Sequence, residues 1–141
     1  MKRKIPAVLA AVLALALILS ACNSKHIAKL DADKITSANA LTSYTSSYVY
    51  VIEDKDDIKE LVKIYNSVRY CELYEDEEPP DLVMDTLYNL RFFDEKNKTV
   101  GDVYVSPDGY MAFSNDFDHV YRVTSKFDEK KLISILDKNK K

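Results

Sequence analysis

Histidine, cysteine and glycine are all scarce in this chain of 141 residues, with two of each, and tryptophan is absent. One of the histidines, His26, lies near the N-terminus, so His119 is left alone in the body of the chain. A single imidazole cannot build the His-rich ligand sets of catalytic zinc, and HExxH, CxxC and GxSxG motifs are all missing. No catalytic group set is visible, and the chain reads as a non-enzyme without a cofactor. A basic stripe is missing too. Beyond residue 21 the chain holds 17 basic against 23 acidic side chains, a net of −6. Such an acidic body argues against nucleic acid as a partner, because binding a polyanion by counterion release needs clustered cations. With 30% charged residues beside 10 Tyr and 5 Phe, the chain is neither disordered nor a polytopic membrane protein.

Lys2, Arg3 and Lys4 open the chain, and Ile5 to Leu19 form an apolar run broken only by Pro6. The run falls short of the roughly 20 residues that span a bilayer and matches the apolar region of a secretory signal. It ends in Leu19-Ser20-Ala21-Cys22: a large aliphatic residue, two small residues and a cysteine. This tetrapeptide resembles the lipobox of bacterial lipoproteins. The resemblance implies diacylglycerol on the Cys22 sulfur and cleavage by signal peptidase II between Ala21 and Cys22, with Leu19, Ser20 and Ala21 as its recognition residues. It also implies an extracytoplasmic protein anchored in the cell membrane by lipid on Cys22. The expected organisation is a signal peptide over 1–21, a lipidated flexible linker over 22–33 and a folded domain over 34–141.

Within the domain, Asp54 can cap a helix whose apolar face is Ile58, Leu61, Val62, Tyr65 and Val68. Asp128 can cap a second helix, with Phe127 and Leu132 in the positions of a hydrophobic staple and Leu132, Ile133 and Leu136 as its buried face. Alternation predicts strands around Tyr48–Ile52, Tyr88–Phe92, Val103–Val105, Tyr110–Phe113 and His119–Val123, and a weaker one within Ile35–Thr42. Ser106-Pro107-Asp108-Gly109 fits a type I turn. Lys138-Asn139-Lys140-Lys141 reads as a solvated tail. The expected fold is α+β: a single antiparallel sheet of five or six strands with two helices on one face. The helix opening Asp54-Lys55-Asp56-Asp57-Ile58 followed by a strand meander loosely resembles small uncharacterised lipoproteins of Gram-positive bacteria. That resemblance implies binding or accessory roles at the cell envelope and carries over no further site residue.

Four features are weighed for chemistry. Glu72, Glu75, Asp76, Glu77, Glu78 and Asp81 form an acidic run suited to a cation or a basic peptide. Its weightier reading is a solvated loop, since the EF-hand order is absent and Pro79-Pro80 imposes an extended course. His119 lies near Asp116 and Asp118 and reads mainly as a strand-edge histidine. If Val103, Met111 and Phe113 are core, Tyr104 and Tyr110 point outward as a contact surface for a peptide or glycan. Cys71 is the one thiol left once Cys22 is acylated, and it reads as a small packed hydrophobe. The expected partners are the membrane, a peptide or an envelope protein. A cationic peptide intercepted by an immunity or ligand-capture lipoprotein is the alternative.

Overall fold

The computed structural model describes residues 23–42, 49–80 and 87–140. Eight strands form one sheet in the order β1-β4-β8-β7-β6-β5-β2-β3, and every neighbouring pair is antiparallel. The strands are β1 (Lys25–His26), β2 (Ser37–Thr42), β3 (Val49–Ile52), β4 (Arg69–Cys71), β5 (Tyr88–Phe93), β6 (Thr99–Val105), β7 (Tyr110–Phe113) and β8 (Asp116–Val123). Two helices complete the fold, α1 (Lys55–Ser67) between β3 and β4 and α2 (Glu129–Lys138) after β8. The α+β class with one antiparallel sheet is as expected. The strand number is corrected from five or six to eight. The additions are β1 and β4, of two and three residues, too short to show alternation.

The meander β5 to β8 follows the alternation closely. Tyr88, Leu90 and Phe92 of β5, with Val103 and Val105 of β6, enter the main core beside Ala38 and Ala40 of β2 and Ile52 of β3. The Ser106–Gly109 turn closes with Gly109 N–H donating to the Ser106 carbonyl, and Gly109 has a φ of 91°, a conformation glycine adopts without strain.

The helices use the expected caps. The Asp54 carboxylate accepts from the Asp56 and Asp57 amides, and that of Asp128 from the Lys131 amide. Ile58, Leu61, Val62 and Tyr65 of α1 are buried, joined by Ile64. In α2 the buried face is Leu132, Ile135 and Leu136, whereas Ile133 is 40% exposed. Steps of three and four keep 132, 135 and 136 on one side of the helix, and residue 133 is turned about 100° away. Both helices pack into the same core as one face of the sheet.

The N-terminal stretch is docked where a flexible linker is expected over 22–33. Ile27 is buried in the main core and β1 pairs with β4, Lys25 opposite Tyr70. The Leu30 amide donates to Asn66 Oδ1 at 2.8 Å, and Asn66 Nδ2 donates back to the Leu30 carbonyl at 2.9 Å. Leu30 also covers Gly101 of β6: a Cβ there would lie 2.8 Å from Leu30 Cδ1 and 3.2 Å from Tyr65 Cζ. The isolated apolar residues of this segment are anchors, each filling one gap in the core.

The solvated-tail expectation fails at its first two residues. Lys138 Nζ and Asn139 Nδ2 both donate to the buried Asp57 carboxylate at 3.0 Å, tying the end of α2 to the start of α1. Burial by itself would raise the Asp57 pKa; the bonds from Asn139 and Lys138 and the charges of Lys138 and Lys131 outweigh it and hold the carboxyl below its ordinary 3.8.

Two predictions follow from this packing. Gly101→Ala should destabilise the fold by about 1–2 kcal/mol net in urea unfolding, overpacking outweighing the backbone gain of alanine. An unchanged midpoint would mean that Leu30 and Tyr65 yield without cost. The Asp57 anchor should show in acid. Because its folded pKa lies below the unfolded value, its contribution is full above the ordinary carboxylate range and fades as pH falls through the folded pKa. The difference in melting temperature between the native chain and Asp57→Asn should therefore narrow from pH 6 to pH 3.

Candidate functional site

Leu19, Ser20, Ala21 and Cys22 lie outside the described residues, and so does Asp81. The other five acids, Glu72, Glu75, Asp76, Glu77 and Glu78, follow β4, and the structure divides them. Glu75, Asp76 and Glu78 are exposed to solvent, as a solvated loop requires. Glu72 and Glu77 are each engaged by side chains of β8.

Glu77 is the better enclosed of the two, its side chain 13% exposed. It forms a close ion pair with Arg122, accepts a hydrogen bond from the Tyr110 hydroxyl at 3.0 Å and accepts the Tyr74 amide at 3.2 Å. The Arg122 guanidinium also lies over the Tyr74 ring, 5.0 Å from its centroid. The hydrogen bond from Arg122 is the main reason the Glu77 pKa falls below its ordinary value, and the bond to Glu77 correspondingly raises that of Tyr110. The loop is therefore pinned to the face of the sheet opposite the helices.

That face is not an open row of tyrosines. Tyr104 and Tyr110 point away from the main core as expected, yet both are half-buried around Leu87 and Ala112, together with Phe117 and Val120. Tyr104 and Phe117 meet edge to face at 5.0 Å. Tyr88 is buried in the main core, Tyr50 packs against it, and Tyr48 lies outside the described residues.

Glu72 sits on the rim of the sheet. His119 Nε2 donates to it at 2.9 Å, Lys25 Nζ at 3.3 Å, and Asp116 approaches His119 Nδ1 at 3.7 Å. The imidazole stacks on Tyr121 with ring centroids 4.4 Å apart and planes 6° off parallel. Hydrogen bonding from His119 leads the causes that lower the Glu72 pKa. Glu72, Asp116 and His119, with Asp118 and Pro79, line a shallow hollow of about 400 Å³. Its three carboxylates suit a positively charged group. Among the described residues, no three His, Cys, Asp or Glu side chains converge in a way that would hold a metal ion. The sequence proximity of His119 to Asp116 and Asp118 pointed to this corner; the pairing with Glu72, 47 residues away, was not legible from spacing.

Cys71, 3% exposed at the end of β4, is packed as expected, but it is disulfide-bonded rather than a free thiol.

The pinned loop carries its own prediction. Glu77→Gln should free the loop and raise its rate of proteolytic cleavage and amide exchange, whereas neutralising the exposed Glu75, Asp76 and Glu78 together should leave both unchanged. Equal effects from the two variants would mean that the Arg122 pair does not hold the loop.

No protein-family model, curated protein or solved structure matches this chain, so a functional assignment has to come from its own residues.

Proposed function

We propose that this protein is a lipid-anchored extracytoplasmic lipoprotein whose small α+β domain is a non-catalytic binding or accessory module at the cell envelope. The observation that carries the reading is the sequence Leu19-Ser20-Ala21-Cys22 at the end of a short, positively led apolar run. Two acyl chains on one residue bury enough methylene groups for stable anchoring, at roughly 0.8 kcal/mol per CH₂. Among the described residues no helix is long and apolar enough to cross a membrane, and the lipid would be the attachment.

A second reading, a capture or immunity module for a cationic peptide, draws support from the hollow beside His119. Glu72, Asp116 and Asp118 line it, and the exposed Glu75, Asp76 and Glu78 extend the same sign of charge along the loop. Binding there would weaken as salt rises, since charges farther apart than about 10 Å are screened at 0.1 M.

The anchoring claim meets a chemical constraint at Cys71. The chain has two cysteines, so an intrachain disulfide and a thioether at Cys22 draw on the same sulfur. In the acylated protein Cys71 is a thiol. Intact-mass measurement of membrane-extracted protein should show the diacylglycerol adduct, and alkylation in denaturant should label one thiol. Cys22→Ser should abolish the adduct. A soluble, unmodified mature protein with no alkylatable thiol would overturn the assignment.

A further inference from the structure

The docked N-terminal segment sets how such an anchored domain would sit. Ser24 lies two residues after Cys22, so their Cα atoms are at most about 7 Å apart, comparable with the depth of one headgroup layer. Ser24 is already on the domain, its hydroxyl 2.6 Å from that of Thr124 at the end of β8. The next residue, Lys25, is in β1 and bonded to Glu72, and Ile27 is buried in the core. The corner continues through Arg69, whose carbonyl accepts from the Thr124 amide at 2.8 Å and whose amide donates to Ser125 Oγ at 2.9 Å. Lys126 follows directly.

We propose, resting on the acylation of Cys22, that the domain does not swing on a spacer but is held with its β1–β4–β8 corner against an anionic lipid surface. Arg69 and Lys126 are exposed there and complement lipid phosphates, while Lys25 is paired with Glu72. The nearby Glu72 is engaged by Lys25 and His119. The opposite edge of the sheet, β3, is separated from β1 by the full order of eight strands. At about 4.8 Å per strand, that edge lies up to roughly 34 Å from β1.

The chain contains no tryptophan, so a single introduced indole reports without background. Lys126→Trp and Val51→Trp, both at exposed positions, should be expressed as full-length lipoprotein and reconstituted into vesicles of phosphatidylcholine and phosphatidylglycerol. Some of the lipid should carry a nitroxide on its headgroup. The inference expects several-fold stronger quenching at position 126 than at 51. Residue 126 is far from Cys22 in sequence, so only the docked geometry brings it to the headgroups. A flexible insert of about ten Gly and Ser residues between Asn23 and Ser24 should reduce the contrast by lengthening the tether. Equal quenching at both positions, in protein whose mass includes the diacylglycerol, would overturn the orientation and leave the anchoring intact. An unreduced contrast with the insert would overturn the role of the short tether. Protein that lacks the adduct overturns the anchoring and this inference with it.

Discussion

The ring of Tyr65 rests on β6 at the one place where that strand presents no side chain, Gly101, with Phe92 edge-on at a centroid distance of 5.2 Å. Leu30 closes over the same spot. Three separate stretches of chain meet there: the N-terminal segment, the helix that crosses the sheet, and the central meander. Burial, together with the charge of Asp102, pushes the Tyr65 pKa up to about 12, so the phenol stays neutral throughout the physiological range. Helix α1 starts beside the outermost strand β3 and ends beside β4, next to the opposite edge. Its 13 residues span about 20 Å at 1.5 Å each, and Tyr65 near its end fastens it to the sheet. A side chain at position 101 would lift that end of the helix and the segment bonded to it through Asn66.

Legibility in the sequence followed the length of each element. Strands β5 to β8 and helix α1 carry several turns of their own pattern, and alternation or 3.6-residue spacing was enough to place them. The two-residue β1 carries none. Ile27 and Leu30 read as stray apolar residues because the groups that bury them, Asn66 and Gly101 among them, come much later in the chain. Ile133 was misplaced for a related reason: a ten-residue helix offers too few apolar positions to fix its phase. The candidate site was half legible. Acid density marked the loop after β4, and His119 beside two aspartates marked the hollow. Nothing local indicated that Glu77 belongs with Arg122 or Glu72 with His119, since β4 and β8 become neighbours only through the strand order.

Charge on this molecule is therefore partitioned rather than spread. Asp57 is consumed in joining the two helices, Glu77 in pinning the loop, and Asp102 in a 2.7 Å bond with Arg91 and another with Asn89 on the sheet. The carboxylates that stay available are Glu75, Asp76 and Glu78 along the loop and Asp116 and Asp118 around the hollow. Acidic and basic groups meet at the β1–β4–β8 corner, where Lys25 is bonded to Glu72 on the rim of that hollow.

The strand order also governs when the sheet can close. β1 emerges first but hydrogen-bonds only to β4, and β4 must in turn pair with β8, the last strand of the chain. The opposite part of the sheet, β2 on β3 and β5, needs nothing beyond residue 93. Pairings of such long sequence separation are slow to form. A chain threaded N-terminus first through a narrow channel would therefore keep its leading edge unfolded until almost all of it had passed, and the β1–β4–β8 corner would be the last part of the sheet to zip shut.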